Sequence, residues 1–369
     1  MKKLAIIGAS YLQMPLVQKA KDMGIETHCF AWEEGAVCKE ISDFFYPVSI
    51  LEKDRILEIC RQVHIDGITT IASDAAVPTV CFIAGEMGLT GNSFEDALVS
   101  TDKYLMRKRF AEFSVSSPRF VIADDHFSVN GFRFPVIVKP TDRSGSRGVK
   151  KIDSNADLQV AVQRAQKESF THQAIIEEYI TGSEVSVESI TWKGTHYILA
   201  ITDKITTEEP YFVELEHHQP SRLSVQIQEK IKSETLKALS ALNILYGASH
   251  SEFKITPDGN VYAIEVGARM GGDFIGSHLV QLSTGYDFVK GVIDISLGHF
   301  VEPVLNQHKC SGVYFLCKET EYLLPVIQKA KTYSQIVHAE ITDNKLNKIQ
   351  CSADRSGYLI YQSDNHFKL

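Results

Sequence analysis

The stretch Glu252-Phe253-Lys254, followed by Ile264-Glu265-Val266-Gly267-Ala268-Arg269-Met270-Gly271-Gly272, decides the fold of this chain. Both segments lie in runs of alternating apolar residues, 248–255 and 261–266, and Thr256-Pro257-Asp258-Gly259-Asn260 separates the two runs. This pattern predicts two antiparallel strands joined by a tight turn. Pairing of the strands would bring the carboxylates of Glu252 and Glu265 together.

A metal ion would explain why two carboxylates face each other on neighbouring strands. Like charges repel in that arrangement, and a hard divalent cation with oxygen ligands neutralises them. Mg2+ usually keeps water or phosphate oxygens in its shell, so the pair predicts a bound nucleotide. Arg269, four residues after Glu265, is expected to stabilise the charge of a transferring phosphoryl group. The alternative is a pair of solvated strand glutamates beside a glycine turn.

The charge balance favours small molecules as partners. The chain has 38 Lys and Arg against 46 Asp and Glu, a net charge of −8, without a basic block. This argues against nucleic acid and against anionic membrane surfaces. Seven cysteines without CxxC spacing indicate neither a zinc site nor a disulfide framework, which fits a reducing cytoplasm. No apolar run reaches the length of a signal peptide core or a membrane span, so we expect a cytoplasmic protein.

The first hundred residues alternate strands and helices. Strands are predicted at 4–7, 26–31 and 67–72, and helices at 16–23, 56–63 and 76–87. This order predicts an α/β domain with a parallel sheet. Gly8-Ala9-Ser10 follows the first strand but lacks the second and third glycines of a dinucleotide-binding loop, so we reject a nicotinamide or flavin site. The loop is interpreted either as part of a substrate pocket or as a plain structural turn.

Two lysines and a small-residue loop come next. Lys139 lies in the apolar strand Phe134-Pro135-Val136-Ile137-Val138-Lys139-Pro140, and burying an ammonium there is costly unless an anion meets it. The loop Thr141-Asp142-Arg143-Ser144-Gly145-Ser146-Arg147-Gly148 exposes backbone N–H groups that can bind phosphate. Lys103, in the first turn of a predicted helix that starts at Thr101, can reach the same phosphates. Taken singly, Lys139 can snorkel to water and Lys103 is a surface lysine.

An acidic hairpin follows. Residues 175–188 include Glu177-Glu178-Tyr179-Ile180-Thr181-Gly182-Ser183-Glu184 and predict two strands around a turn. Backbone groups of Glu178 and Ile180 would pair with an adenine, and Glu184 would accept hydrogen bonds from ribose hydroxyls. By itself the segment is an acidic hairpin and no more. Further on, the sequence predicts a helix at 225–242 and a strand-rich tail from about residue 302, whose role it leaves open.

In this order the motifs resemble those of the ATP-grasp superfamily of carboxylate–amine ligases, over roughly the first 300 residues. The matching set is Lys103, Lys139 with its glycine-serine loop, E-E-Y-I-x-G-x-E, E-F-K and E-x-x-x-R-x-G-G. The resemblance implies a fold of mixed α/β and α+β class in four parts. These are a Rossmann-like pre-ATP-grasp domain at 1–100, a linker helix and lid at 101–185, a catalytic subdomain with an antiparallel sheet at 186–300, and a strand-rich extension at 301–369.

The resemblance also implies roles for individual residues. Glu252 and Glu265 would hold Mg2+, with Mn2+ as an alternative metal, and Arg269 and Lys139 would act in catalysis. The loop at 144–148 would close over the phosphates of ATP. The ATP-binding residues that it implies are Lys103, Lys139, Ser144, Gly145, Ser146, Gly148, Glu177, Glu178, Ile180 and Glu184.

One position departs from the family pattern. Many members have an asparagine two residues after the second glutamate as a further metal ligand, where this chain has Gly267. Water or phosphate would fill that position, and the number of metals stays open. The segments around Lys204 and His217 are similar to L-amino-acid ligases and carbamoyl-phosphate-synthase-like proteins. The substrate contacts that this similarity implies are Lys204, His217, Arg269, Gly271 and Gly272, with Lys204 and His217 as ordinary loop residues in the alternative.

The function implied is that of a ligase. ATP phosphorylates a small carboxylate, with an amino acid as the first choice, and an amine then attacks the acyl phosphate. Lid closure would keep water from the mixed anhydride. Two alternatives stay open: an ATP-grasp enzyme that uses bicarbonate or a purine-pathway intermediate, and a nucleotide-binding protein without turnover. A homodimer is the commonest closed assembly, and no partner protein is indicated.

Overall fold

The computed structural model describes residues 1–124, 127–145, 147–207, 209 and 211–369. Ser146, which the resemblance places in the phosphate loop, lies outside the described residues. The described residues form a four-stranded parallel sheet, a four-stranded antiparallel sheet and an eight-stranded antiparallel sheet. The mixed class predicted from the sequence, parallel first and antiparallel later, is confirmed.

The first part of the chain alternates strands and helices: β1 Lys3–Ile7, α1 Met14–Asp22, β2 Glu26–Ala31, β3 Phe44–Pro47, α2 Lys53–Val63, β4 Gly67–Thr69 and α3 Val77–Met87. The strands lie in the order β3-β2-β1-β4, and every neighbouring pair is parallel. Successive residues of β1 point to opposite faces, so Leu4 and Ile6 pack in one apolar cluster while Ala5 and Ile7 pack in another. The sheet is therefore covered on both faces, as parallel sheets usually are.

Two elements end elsewhere than predicted. The strand expected at 67–72 stops at Thr69, because the chain then turns toward the large sheet and Ile71 forms a parallel bridge with Met270. The helix expected to start at Thr101 starts at Lys103, as α5 Lys103–Glu112, and Thr101 instead ends another helix, α4 Phe94–Thr101. Asp102 separates them, because its carboxylate accepts the backbone N–H of Leu105 at 2.8 Å and caps the second helix.

The four-stranded antiparallel sheet is called the lid sheet below. Its strands are β5 Phe120–Ile122, β6 Val136–Pro140, β7 Lys150–Ile152 and β8 Ala174–Glu178, and helix α6 Leu158–Glu168 lies between β7 and β8 in the chain. Its order is β5-β8-β6-β7. Helix α6 covers one face, where Leu158 and Val162 pack with Val136, Val138 and Ile176 in one apolar cluster. Strands β6 and β8 are neighbours, so the charged residues that they carry lie close together.

The large sheet and its helices comprise β9 Ser183–Trp192, β10 Thr195–Thr206, β11 Glu214–Gln219, α7 Val225–Ala241, β12 Tyr246–Ile255, β13 Val261–Gly267, α8 Val280–Thr284, α9 Phe288–Ser296, β14 Cys310–Leu316, α10 Leu324–Gln328, β15 Ile336–Ile341 and β16 Gly357–Ser363. The strand order is β13-β12-β9-β10-β11-β14-β16-β15, antiparallel throughout. The predicted hairpin of β12 and β13 is confirmed.

The tail joins the large sheet. Strand β14 pairs with β11, and β16 and β15 continue the sheet beyond it. The domain limits drawn from the sequence stay a prediction. Among the described helices, none is long and apolar enough to cross a membrane.

Candidate functional site

A cleft between the lid sheet and the large sheet collects most of the predicted site residues. The predicted residues in its walls are Lys103, Lys139, Ser144, Gly145, Glu177, Glu178, Ile180, Glu184, Lys204, Glu252, Glu265 and Arg269. Four predicted residues are not part of this lining within the described chain, namely Gly148, His217, Gly271 and Gly272. Because cations and carboxylates face each other across the cleft, it suits a polyphosphate together with a metal ion.

The paired glutamates of β12 and β13 open into this cleft. Glu252 lies directly opposite Glu265 in the strand register. Lys204 Nζ donates to Glu252 Oε1 at 2.7 Å, and Lys103 Nζ donates to Glu265 Oε1 at 2.9 Å. The side chains of Glu252 and Glu265 are 25% and 24% exposed, and no described residue donates to either Oε2 atom. The pair thus presents carboxylate oxygens to the cleft, and these are the ligands that Mg2+ prefers.

Carboxylates enclose the Lys204 ammonium. Its Nζ lies 2.7 Å from Glu252, 2.8 Å from Glu184 and 3.3 Å from Glu214. Burial opposes the charged form, but these carboxylates outweigh burial and raise the pKa of Lys204 well above its ordinary value. The three carboxylates could also hold a cation, since their oxygens lie within 4.8 Å of one another, but the Lys204 ammonium already lies among them. Contact of Lys204 with a substrate carboxylate stays a prediction without support from this geometry.

Lys139 belongs to a buried ion triad in the lid. Its Nζ lies 2.6 Å from Glu177 Oε2, and Arg107 Nε lies 2.8 Å from Glu177 Oε1. The exposed fractions are 6% for Lys139, 3% for Glu177 and 0% for Arg107. Burial raises the pKa of Glu177, but the two cations outweigh burial and hold that pKa below its ordinary value. Glu177 therefore pairs with cations beside the cleft, and the ATP contact that the resemblance implies for it stays a prediction.

Sequence reasoning missed Arg107. A single arginine on a helix is commonly solvated, so nothing in the sequence distinguishes it. In the structure its Nη2 donates to the carbonyl oxygen of Ile264 at 2.6 Å. Arg107 thus links the lid sheet, through Glu177, to the strand that carries Glu265.

A second buried pair, His250 and Glu188, was also missed. The two residues face each other on β12 and β9, and His250 Nδ1 hydrogen-bonds to Glu188 Oε1. On its other side, His250 Nε2 lies 3.2 Å from Glu252 Oε1. Burial lowers the pKa of His250, but the Glu188 carboxylate and then Glu252 outweigh burial and raise it to about 9. The imidazolium therefore adds a positive charge beside the glutamate pair.

This pair explains the glycine at position 271. The backbone N–H of Gly271 donates to Glu188 Oε2 at 3.0 Å. A Cβ at position 271 would lie 2.5 Å from Glu188 Oε1 and 2.6 Å from His250 Nδ1. Both atoms belong to buried side chains that hold each other, so neither can move aside easily. A side chain at position 271 would therefore displace the His250–Glu188 pair, and contact of Gly271 with substrate stays a prediction.

A small second pocket adjoins the glycine loop. Gly271 and Gly272 line it together with Tyr11, Ala72 and Phe274. Tyr11 belongs to the loop after β1, and Ala72 follows β4, so this pocket lies at the carboxyl end of the parallel sheet. The loop after β1 thus lines a pocket, and both interpretations of this loop, as part of a substrate pocket and as a plain structural turn, stay predictions.

His217 lies deeper, beside a residue of the tail. Its ring is 1% exposed, and Nε2 lies 3.9 Å from Asp273 Oδ2. Arg355 Nη1 donates to the same Asp273 oxygen at 2.7 Å, and Arg355 Nη2 donates to the carbonyl oxygen of Glu214 at 2.9 Å. Burial lowers the pKa of His217. The tail, for which the sequence indicated no role, thus supplies a cation that holds the segment after the two glycines.

Arg269 reaches the cleft from the loop after β13. Its Nε and Nη2 donate to Asp74 Oδ1 and Oδ2 at 2.8 and 2.7 Å. Asp74 follows β4, and nothing in the local sequence links it to a position 195 residues away. The arginine was predicted for the site; its carboxylate partner was not.

Comparisons with known proteins bear on the whole arrangement. Residues 132–277 match the family model described as an ATP-grasp domain. The D-alanine--D-alanine ligase of Flavobacterium johnsoniae is 32% identical over 138 residues, which are 36% of this chain and 42% of that protein. The D-alanine--D-alanine ligase of Lactococcus lactis subsp. cremoris (strain SK11) is 26% identical over 201 residues, or 50% and 56% of the two chains. The chain therefore spans about half the length of the curated relatives it matches.

Solved structures match over nearly the full chain. The L-amino acid ligase from Bacillus licheniformis has a TM-score of 0.83 at 21% identity, and the match covers 99% of this chain and 94% of that one. Phosphoribosylglycinamide synthetase from Anaerococcus prevotii has a TM-score of 0.77 at 20% identity, with the same coverage of 99% and 94%. N5-carboxyaminoimidazole synthetase from Staphylococcus aureus, complexed with ADP, has a TM-score of 0.81 at 15% identity, again with 99% and 94%. The chain therefore has the ATP-grasp fold and contains an ATP-grasp domain at residues 132–277.

Proposed function

We propose that the protein is an ATP-dependent carboxylate–amine ligase whose carboxylate substrate is an amino acid. The observation that carries this proposal is the convergence of Lys103, Lys139, Arg269 and the Glu252–Glu265 pair on one cleft. A polyphosphate needs cations around its oxygens, and phosphoryl transfer needs positioning and charge stabilisation rather than a covalent protein intermediate.

ATP would bind between the lid sheet and the large sheet. Glu178 and Ile180 lie in the wall where an adenine could meet backbone groups, and Glu184 lies nearby for the ribose. Ser144 and Gly145 line the cleft from the loop after β6, and their backbone N–H groups would bind the phosphates. Lys103 and Lys139 would exchange part of their contacts with Glu265 and Glu177 for phosphate oxygens.

The reaction would proceed in two displacements. A carboxylate oxygen of the amino acid attacks the γ-phosphorus, the bond to the bridging oxygen breaks, and ADP leaves with that electron pair. The amine then attacks the acyl carbon, inorganic phosphate leaves, and the amine loses a proton. Arg269 would stabilise the oxygens of the transferring group, because its guanidinium stays charged and presents several N–H donors. Glu252 and Glu265 would hold Mg2+, which neutralises phosphate charge when bound.

Coupled ADP release tests the proposal. The protein is incubated with Mg-ATP and amino acids, singly and in pairs, with bicarbonate and ammonia in separate reactions. We expect a pair of amino acids to stimulate ADP release, and we expect Glu265→Gln to reduce that rate by about 100-fold or more because it loses a charged metal ligand. Glu229→Gln, at an exposed helix residue paired with Lys232, is the matched control and should retain the rate.

Other outcomes contradict the proposal in distinct ways. Stimulation by bicarbonate alone would move the assignment to the carboxylase-like alternative. ATP binding without ADP under any mixture would favour a nucleotide-binding protein without turnover. Equal rates of ADP release for Glu265→Gln and the wild type would show that the proposed metal-binding role of the glutamate pair is wrong.

A further inference from the structure

The contact between Asp74 and Arg269 joins two distant parts of the chain. Asp74 begins the short turn Asp74–Ala76 after β4 of the parallel sheet, while Arg269 lies two residues after the end of β13. Both oxygens of the carboxylate accept from the guanidinium, at 2.8 and 2.7 Å. The two side chains are 14% and 13% exposed, so the pair is largely shielded from water while it still lines the cleft. A bidentate pair of this kind fixes the plane of the guanidinium.

Gly267 makes room for this carboxylate. A Cβ placed on Gly267 would lie 2.5 Å from Asp74 Oδ1 and 3.2 Å from Arg269 Nε. The backbone at Gly267 has no positive φ, so the glycine is not required by its own conformation. A side chain at position 267 and the Asp74–Arg269 pair therefore exclude each other.

Backbone contacts hold the same junction. Ile71 and Met270 form a parallel bridge, and the Ala72 N–H donates to the Met270 carbonyl oxygen at 3.0 Å. Gln13 Nε2 donates to the Ile71 carbonyl oxygen at 2.7 Å, which ties the bridge to the residue that precedes the first helix. The residue after Arg269 is thus fixed to the parallel sheet. The long arginine side chain remains free to rotate unless a partner holds it.

We infer that Asp74 is a positioning residue for Arg269, and that position 267 is a glycine because the Asp74 carboxylate occupies the space of a side chain there. A guanidinium has five N–H groups. Two go to Asp74 and one reaches the Met270 carbonyl oxygen at 3.3 Å, which leaves others for an anion in the cleft. The role of Arg269 in turnover rests on the proposed function, whereas the mutual exclusion of Asp74 and a side chain at 267 does not.

A double-mutant cycle tests the inference with Gly267→Ala, Asp74→Ala and the combined variant. Gly267→Ala should lower both the Tm and kcat in the natural background, because the new methyl group displaces the carboxylate. In the Asp74→Ala background the same substitution should change neither quantity further, because the clashing carboxylate is gone and the released Arg269 side chain can rotate away from the methyl group. Asp74→Asn should lower kcat by about 10- to 100-fold with the KM for ATP within about twofold, since a misplaced group loses orientation rather than ground-state binding. Asp66→Asn, at the opposite end of β4, is the matched control and should keep the natural kcat.

The two readouts separate failure of the inference from failure of the proposed function. Equal losses of Tm from Gly267→Ala in both backgrounds would overturn the steric exclusion. A natural kcat for Asp74→Asn would overturn the positioning role. If the natural protein shows no turnover with any substrate, the proposed function fails, and the Tm cycle still decides whether Asp74 fills the space at Gly267.

Discussion

Arg269→Lys should lower kcat for ADP release by about 100- to 1,000-fold while the KM for ATP changes little. Lysine keeps the positive charge but has no planar fork, so it cannot hold both oxygens of Asp74 and also donate to a phosphoryl group. The loss should fall on kcat, because charge on the transferring oxygens is redistributed at the transition state while ATP is already bound through other groups.

Steady-state kinetics at saturating amino acids measure this effect. Arg222→Lys is the matched control, since Arg222 is 48% exposed and pairs with Asp203 away from the cleft lining. A raised KM with an unchanged kcat would show that Arg269 binds ground-state ATP and takes no special part in the transfer.

Glu177→Gln should reduce the free energy of unfolding by about 3–5 kcal/mol. The glutamate is the shared partner of Arg107 and Lys139, and all three side chains are at most 6% exposed. Glutamine keeps the shape but not the charge, so the two buried cations would repel each other without a neutralising group. A surface pair broken in the same way would cost far less, because water replaces the partner.

Urea denaturation of the natural protein and of Glu177→Gln measures the difference in unfolding free energy, and equal m-values in the two proteins show that this difference is one of stability. Glu112→Gln, at a helix residue 61% exposed and 3.6 Å from Arg109, is the control and should leave the unfolding free energy nearly unchanged. The pKa of Glu177 is lower in the folded protein than in the unfolded chain. The ionised carboxylate therefore stabilises the fold fully at pH values above the unfolded-state pKa, and this stabilisation declines as the pH falls through the folded-state pKa. The natural protein should therefore lose its advantage over Glu177→Gln in acid, and a difference that is small at pH 7 would contradict the buried triad.

The β12–β13 hairpin shows what local sequence can predict. Its alternation and its turn sequence are contained within residues 250–267, so the pairing of the two strands follows from short-range rules. The register shifts between Glu252 and Phe253, and this irregularity, which the sequence did not predict, puts Glu252 opposite Glu265. The parallel sheet was predictable for the same reason, because strands and helices of ordinary length alternate there. Asp102 was a readable cap, and a stricter use of capping preferences would have placed the start of α5 at Lys103.

The partners of the predicted residues were not predictable. Arg107, Glu188, His250, Asp74 and Arg355 are ordinary residues in their local sequences. Their importance comes from contacts that span up to 195 residues, as for Arg269 with Asp74. Burial converts such contacts from weak surface pairs into strong constraints, and burial by distant elements is not encoded in a short motif. The sequence thus names the groups that would meet ATP, and the structure adds the groups that hold them.

Isotope transfer from the substrate carboxylate tests the central claim most directly. The amino-acid pair that best stimulates ADP release is used, with 18O in both carboxylate oxygens of the acid, and the inorganic phosphate is analysed by mass spectrometry. An acyl phosphate intermediate transfers one of these oxygens to phosphate in each turnover, so we predict singly labelled phosphate in proportion to ADP. Unlabelled phosphate accompanying amide formation would contradict activation of the carboxylate by phosphorylation.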